Sequence, residues 1–256
     1  MEITFLGTSA HDFSKRLLTD FKDSFDKDAR RSSSVMIDGR YLVDCGTHTT
    51  ESLRIIGKPL CEIEAIFITH QHPDHYDENN IRAIAAARRE PLRIYIRDGA
   101  EVGRIENVEL ILMSPFIACS VGEGLTVTGM PANHDGNTHP QHFMIECGGK
   151  RLFYGCDGAW LLNETYGFMR RRRFDALILD ATVGDYEGDY RMGEHNSIPM
   201  IRLMLPSLRS VGIIDGQSAV WLSHIAPSLH APHERTVEIA RAFGADVAYD
   251  GLKIEI

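Results

Sequence analysis

The chain has 256 residues, of which 43% are hydrophobic, and its formal net charge is −9. This length and composition suit one α/β domain, which we expect to span residues 1–256, and they exclude a disordered chain. The acidic balance excludes a general electrostatic attraction to nucleic acid or to an anionic membrane, so such a partner would need a local basic patch.

The first half of the sequence alternates short apolar runs with polar turns. The runs that predict strands are Ile3–Leu6, Ser34–Ile37, Tyr41–Val43, Ala65–Thr69, Leu92–Ile96 and Val108–Leu112. The dipeptide Asp38-Gly39 predicts a hairpin turn between the second and third of these runs. The charged stretch from His11 to Arg31 predicts a long loop with room for one helical turn. Glu78–Arg89 has alanine and isoleucine at helical spacing and predicts a helix.

The second half also alternates short apolar runs with polar turns. Its predicted strands are Leu125–Met130, Phe143–Glu146, Leu152–Tyr154, Ala176–Leu179 and Ala219–Leu222. Gly148-Gly149 predicts a second hairpin turn. Helices are predicted at Ile198–Leu208 and His233–Phe243, and Val247–Tyr249 with Leu252–Ile256 predict a terminal hairpin-like pair. Because strands and helices do not alternate strictly, we expect two mixed sheets with helices outside them.

The cysteines and the apolar runs bear on the cellular compartment. Five cysteines are present, and no two form a C-x-x-C pair, so we expect neither a disulfide framework nor a zinc–cysteine site. The N-terminus lacks the pattern of a secretory leader, and no apolar run approaches the ~18 residues that a membrane helix needs. We therefore expect a soluble, cytoplasmic protein.

The sequence T-H-Q-H-P-D-H follows the AIFIT run directly and places three histidines and one aspartate within six residues. Imidazole and carboxylate groups are the ligands that zinc, manganese and iron take in hydrolytic sites. A turn at Pro73 can point His70 and His72 towards one metal, and Asp74 and His75 towards a second. Since four such side chains at one turn serve no packing purpose and would cost desolvation, we predict that they bind metal.

This H-x-H-x-D-H motif after a strand resembles the signature of the metallo-β-lactamase superfamily. Four further landmarks of that family follow in the family's order, each at a strand's end: Asp44 in Y-L-V-D, His134 in N-H-D-G, Asp157 in F-Y-G-C-D-G and His224 in W-L-S-H. The resemblance covers the chain from about Ile3 to Ile256. It implies an α/β fold of the αββα sandwich type, with two mixed β-sheets flanked by helices.

The resemblance also implies a binuclear metal site. The implied ligands are His70, His72 and His134 for the first metal, Asp74, His75 and His224 for the second, and Asp157 as a bridge. Asp44 would orient these ligands without binding metal. The implied cofactors are two divalent ions, zinc or manganese, and iron also accepts these ligands. Two ions about 3.5–4 Å apart would share a hydroxide as the nucleophile and clamp a phosphoryl or acyl oxygen.

Because the superfamily includes hydrolases of many substrates, the fold alone does not choose among them. The segment G-E-H-N-S-I-P at residues 193–199 resembles the phosphodiesterase branch, which includes ribonuclease Z and the phosphoribosyl cyclic phosphodiesterase; the His-Asn pair is closer to the latter. Cleavage of a phosphodiester expels an alkoxide, which needs a proton. We predict that His195 donates it and that Asp180 or Glu194 holds its ring.

A structural role for the same segment stays open, in which Glu194, Asn196 and Ser197 cap the following helix. The arginine run Arg170–Arg173 is interpreted as a solvated face, with a phosphate-binding exosite as the alternative.

The function that we predict is hydrolysis of a small cyclic or nucleotide-like phosphodiester. The alternatives are ribonuclease Z-like RNA processing, and a lactone or thioester hydrolase on the same metal site. The net charge disfavours nucleic acid as a partner, and we expect no membrane partner. Base rates favour a homodimer.

Overall fold

Two β-sheets of seven strands each form the centre of the computed structural model, which describes residues 1–122 and 124–256. The strands are β1 (Glu2–Gly7), β2 (Ser34–Ile37), β3 (Tyr41–Val43), β4 (Ala65–Phe67), β5 (Leu92–Arg97), β6 (Val108–Met113), β7 (Ala118–Gly122), β8 (Leu125–Pro131), β9 (Gln141–Cys147), β10 (Lys150–Gly155), β11 (Ala176–Asp180), β12 (Ala219–Ser223), β13 (Asp246–Val247) and β14 (Lys253–Glu255). The α-helices are α1 (Thr49–Ile55), α2 (Glu78–Ala86), α3 (Asn163–Met169), α4 (Ile198–Ser210) and α5 (His233–Arg241).

Both sheets mix parallel and antiparallel pairing, as the sequence predicted. The first has the order β14-β1-β2-β3-β4-β5-β6, and its pairs are antiparallel as far as β3 and parallel from β3 to β6. The second has the order β13-β12-β11-β10-β9-β8-β7, with parallel pairs from β13 to β10 and antiparallel pairs from β10 to β7. The hairpins β2-β3 and β9-β10 confirm the two predicted turns.

Three apolar clusters hold the layers together. The first lies between the sheets, where Phe67 of β4 meets Phe143 of β9 with ring centroids 6.1 Å apart. The second packs α1 and α2 on the outer face of the first sheet, through residues such as Leu53 and Ile84. The third packs α3, α4 and α5 on the second sheet and includes the buried Leu205 of α4. Helices therefore cover both outer faces, which confirms the predicted αββα sandwich.

The predicted terminal hairpin is wrong. β13 adds to β12 in the second sheet, whereas β14 adds to β1 in the first, so the chain crosses between sheets at residues 248–252. Asp250 anchors this crossing, because its buried carboxylate accepts hydrogen bonds from the backbone N–H of Arg31 (2.7 Å) and the hydroxyl of Thr8 (2.8 Å). At the next position Gly251 has φ +87°, a backbone conformation that is unfavourable for residues other than glycine.

Other elements differ from the sequence-based expectation in smaller ways. The loop from His11 to Arg31 contains one 3₁₀ turn, Lys15–Leu17, as predicted. The helices α1 and α3 and the strand β7 were not predicted, since their sequences T-T-E-S-L-R-I, N-E-T-Y-G-F-M and A-C-S-V-G lack a clear apolar period. None of the helices in the described ranges is long and apolar enough to cross a lipid bilayer.

Candidate metal centre

Candidate metal ligands and Asp44, which supports them, gather at one edge of each sheet because the strands before them run in the same direction. In the first sheet β3 and β4 are parallel, and in the second β10 and β12 are both parallel to β11. β8 also runs with β10, because each is antiparallel to β9. Carboxyl ends of parallel strands meet at one edge. Asp44 follows β3 and His70 follows β4 in the first sheet. In the second sheet, the residues that follow β8, β10 and β12 are His134, Asp157 and His224.

Three of these residues have a left-handed backbone conformation. The φ angles are +64° at Asp44, +60° at Asp157 and +55° at His224. Side chains other than glycine seldom adopt this region, although Asp, Asn and His do so more often than most. Each of these residues stands within two positions of its strand's end, so the left-handed residue stops the extended run and redirects its side chain towards the edge.

The loop that carries Asp74 and His75 packs closely on the loop after β3. The backbone N–H of Cys45 donates to the carbonyl oxygen of His75 at 2.8 Å, and the N–H of Asp77 donates to the carbonyl oxygen of Cys45 at 2.8 Å. A β-carbon at Gly46 would lie 1.8 Å from the carbonyl oxygen of Asp74, which is too close for any side chain. Glycine at this position is therefore what lets the two loops meet.

Four of the predicted ligands form one group of converging donor atoms. They are His70, His72, His134 and Asp157, with one donor atom of each within 4.8 Å of the others. The Nε2 atom of His70 is 2.9 Å from Nδ1 of His72 and 3.2 Å from Oδ2 of Asp157. The Nε2 atom of His134 is 3.2 Å from Nδ1 of His72. These four side chains could hold one metal ion.

A second group overlaps the first. It contains Asp74, His75, Asp157 and His224, again with donor atoms within 4.8 Å of one another. The Nε2 atom of His75 is 3.1 Å from Nε2 of His224 and 3.2 Å from Oδ2 of Asp157. Asp157 is thus shared between the two groups. The structure brings all seven residues of the predicted ligand set together, in the two sets that the resemblance implied.

The charge balance of the centre suits divalent cations. Four buried carboxylates lie there: Asp44, Asp74, Asp157 and Asp180. In the described part of the chain, all of their ion-pair partners are histidines. Burial lowers the pKa of His224, but the neighbouring carboxylates have a larger effect in the opposite direction. Asp157 contributes most among them, and together they raise the pKa of His224 to about 9. Imidazole nitrogens only about 3 Å apart can share either a proton or a metal ion between them. The donor set therefore fits borderline metals such as zinc.

Asp44 supports the metal loop, as the resemblance implied. Its carboxylate is buried and lies 2.8 Å from Nδ1 of His75, and it accepts hydrogen bonds from the backbone N–H (2.8 Å) and the hydroxyl (2.9 Å) of Thr69. The hydroxyl of Thr69 is also 3.0 Å from Nδ1 of His70. Asp44 and Thr69 thus fix the orientation of two imidazole rings whose Nε2 atoms face the donor groups.

Thr182 has the corresponding role in the second sheet, and the sequence reasoning missed it. Its hydroxyl lies 2.7 Å from Nδ1 of His224 and donates to Oδ2 of Asp180 at 3.0 Å. Asp180 is fully buried at the end of β11, and it also contacts Nδ1 of His224 at 3.2 Å. The available signal was the segment L-D-A-T, in which two polar side chains follow a buried strand.

His195 lies at the same centre. Its Nδ1 atom is 3.1 Å from Oδ2 of Asp180 and 3.0 Å from Oδ1 of Asp157, and its ring stacks on that of His224 with centroids 5.6 Å apart. Burial lowers the pKa of His195, but the two carboxylates, Asp180 first, raise it to about 11. Of the two partners considered for this ring, Asp180 makes the contact, whereas the backbone oxygen of Glu194 faces His134 at 3.3 Å.

The residues after His195 have structural roles. The hydroxyl of Ser197 accepts a hydrogen bond from the backbone N–H of Met200 at 3.3 Å and so caps α4. The side chain of Asn196 accepts from the backbone N–H of Trp160 (3.0 Å) and donates to the carbonyl oxygen of Gly158 (2.9 Å). Asn196 thereby ties the His195 segment to the loop that carries Asp157.

A cavity of about 280 Å³ opens over the two donor groups, and His195 and Arg191 are among its lining residues. Sequence reasoning did not select Arg191, although it stands only four positions before His195. Its Nε atom donates to Asp189 at 3.1 Å. The run Arg170–Arg173 does not line this cavity, and Arg173 instead pairs with Asp215 at the surface (2.5 Å).

The sequence matches the family model described as the Beta-lactamase superfamily domain over residues 39–249. Curated protein sequences give no significant match.

Similar solved structures include the metallo-β-lactamase fold protein YhfI from Bacillus subtilis. It has 17% identity and a TM-score of 0.75, and the match covers 100% of this chain and 99% of that one. Zn(2+)-bound PqqB from Methylobacterium extorquens has 19% identity, a TM-score of 0.74, and 100% of both chains covered. A diphosphatase from the PhnP family has 20% identity, a TM-score of 0.70, and 100% of this chain and 97% of that one covered. At such identities these structures show a shared fold, and since the family model spans most of the sequence, the chain belongs to the metallo-β-lactamase superfamily.

Proposed function

We propose that this chain is a two-metal hydrolase that cleaves a small cyclic or nucleotide-like phosphodiester. The observation that carries the proposal is the position of His195, whose ring is braced by Asp180 beside two donor groups that share Asp157. A hydrolase of this fold that expels a poor leaving group needs a proton donor next to its metal site. His195 meets that need.

The proposed metal ligands are the seven residues of the two donor groups. They are His70, His72, His134 and Asp157 for one ion, and Asp74, His75, His224 and the shared Asp157 for the other. When bound, two divalent ions would supply Lewis acidity that activates water and neutralises charge on a phosphoryl oxygen. Zinc, manganese and iron suit this set, and the zinc bound to the similar protein PqqB supports zinc.

The other side chains of the cavity would then bind the substrate and move a proton. Asp180 pairs with Nδ1 of His195 at 3.1 Å, and Asp157 lies 3.0 Å from the same atom, so Nε2 would be the ring nitrogen left to protonate the leaving oxygen. Asp180 acts through His195 and His224, and we regard it as a positioning residue. Arg191 would bind a non-bridging phosphoryl oxygen or a second anionic group of the substrate.

The size and charge of the cavity favour a small substrate over RNA. Its volume is about 280 Å³, and Arg191 is the one arginine among its lining residues, which include no lysine. A polynucleotide would need several cations along its path. The similarity to a diphosphatase of the PhnP family also supports a phosphoryl substrate over a lactone or thioester.

The test is a hydrolysis panel with protein loaded with zinc or with manganese. It compares bis(p-nitrophenyl) phosphate, cyclic nucleotides and cyclic ribose phosphates with a lactone and a thioester. We expect turnover of phosphodiesters that is lost after chelation and restored by the metal. Turnover confined to the lactone or the thioester would refute the phosphodiesterase function and leave a hydrolase on the same site.

A further inference from the structure

A second cavity, of about 230 Å³, lies directly beside the metal centre. It is formed between the segment 187–192 and the first turns of α4, and its walls are mainly apolar: Val183, Met192, Pro199, Met200 and Leu203. Pro199 and Leu203 are four residues apart on α4 and therefore share one face of the helix. We call this cavity the methionine pocket.

The methionine pocket and the metal-centre cavity share one wall. His195 lines both of them and is the residue that the two linings have in common. A molecule whose phosphorus lies at the metal centre could therefore extend one substituent past the ring of His195 into the pocket. The shared residue places the pocket next to the space in which the phosphoryl group would bind.

The chemistry of the methionine pocket selects an uncharged, apolar occupant. Leu203 is 70% exposed and Met192 is 48% exposed, so apolar surface at the pocket faces water. Glu187 and Asp189 also line the pocket, and Asp189 already accepts hydrogen bonds from the N–H and Nε of Arg191. These carboxylates repel an anion, so the phosphoryl group itself belongs at the metal centre. Methionine side chains adapt to flat ring surfaces.

We propose that the methionine pocket binds an uncharged apolar or aromatic substituent of the substrate. This inference rests on the proposed function for the identity of the substrate, a phosphodiester with one such substituent. Leu203 and Met192 would then determine specificity without touching the reacting atoms.

The first test measures binding and needs no turnover. Isothermal titration calorimetry compares benzylphosphonate with methylphosphonate on metal-loaded wild type, Leu203→Ser and Leu112→Ser. Leu112 is a matched control, since it is an exposed leucine (56%) on β6, in the other sheet. We expect the wild type to prefer benzylphosphonate roughly 10- to 100-fold, because the ring buries apolar area. In Leu203→Ser the ratio of the affinities for benzylphosphonate and methylphosphonate should be about tenfold smaller than in the wild type. In Leu112→Ser this ratio should not change.

The second test measures turnover on two phosphodiesters. Bis(p-nitrophenyl) phosphate has aromatic substituents, and ethylene phosphate has none. Leu203→Ser should lower kcat/KM on the first about tenfold and leave it unchanged on the second. Leu112→Ser should change neither value.

The two tests separate the two proposals. Benzylphosphonate that does not bind, or that binds no better than methylphosphonate, would overturn the methionine pocket even if phosphodiesters are cleaved. A benzyl preference that Leu203→Ser removes, in a protein that cleaves no phosphodiester, would retain the pocket and refute the proposed function.

Discussion

At the scale of single residues, Asp157 is the side chain that both donor groups share. Its Oδ2 atom lies 3.2 Å from His70 Nε2 and 3.2 Å from His75 Nε2. We expect Asp157→Ala to lose activity and bound metal together, because one carboxylate would serve both ions. Elemental analysis and a phosphodiesterase assay measure the two effects. Asp185→Ala, at a surface aspartate that pairs with Arg202, is the control. Activity close to wild type would remove Asp157 from the bridge.

The role of His195 can be separated from that of the metal ligands. His195→Ala should keep the metal and should lower turnover of a substrate with a poor alkoxide leaving group by roughly 10²–10⁴-fold, as for other general acids. The same change should matter far less with p-nitrophenolate, which leaves without a proton. The ratio of the two losses is the measurement, since a folding defect would lower both rates equally. Equal losses would contradict the proton-donor role.

Asp250 lies outside the metal centre, and its burial leads us to predict that the stability of the fold depends on pH. Burial raises the pKa of this carboxyl to about 6, despite the N–H of Arg31 and the nearby Arg30 guanidinium. Because the folded state holds this proton more tightly than the unfolded chain, the contribution of Asp250 is most favourable below its unfolded pKa of 3.8 and declines as the pH rises to about 6.

This decline can be measured as a difference between wild type and Asp250→Asn. The free energy of unfolding of the wild type, relative to that of the variant, should fall by up to roughly 3 kcal/mol between pH 4 and pH 7. Denaturant titrations at several pH values measure it, and the difference cancels the titration of other groups. A difference that is constant with pH would show that Asp250 titrates alike in both states.

At the scale of secondary structure, the loop contact at Gly46 gives a further prediction. Gly46→Ala would place a methyl group 1.8 Å from the carbonyl oxygen of Asp74 and push the metal loop away. We expect a loss of stability of roughly 1–3 kcal/mol, as for other overpacked sites, and weaker metal binding. Gly167→Ala is the control, since a methyl there meets no atom within 4 Å. Undiminished metal affinity in Gly46→Ala would show that the loop can move without harm.

Strong local signals predicted most of the elements, and tertiary contacts determined the rest. The hairpin at Asp38-Gly39 depends on its own turn residues and could be predicted. The separation of β13 from β14 depends on Asp250, Thr8 and Arg31, which are far apart in the sequence, so local patterns predicted a hairpin there. The helix α3 contains Gly167 and begins without a side-chain cap, so its packing against the second sheet stabilises it.

At the scale of the whole molecule, the donor groups join the two sheets. His70, His72, Asp74 and His75 follow β4 of the first sheet, whereas His134, Asp157 and His224 follow strands of the second. The clustered motif and its resemblance were enough to predict that these seven residues come together. The positions of Thr182 and Arg191 beside the donor groups could not be predicted in the same way, because they arise only when the strands and loops of the second sheet assemble.

The most direct test of the two-metal account is the number of metal ions per chain. Purified protein saturated with zinc or manganese, freed of loosely bound ions and measured by elemental analysis, should contain two ions per chain. Anomalous scattering from crystals should place them at the two donor groups that share Asp157. One ion or none in saturated protein would contradict the binuclear mechanism.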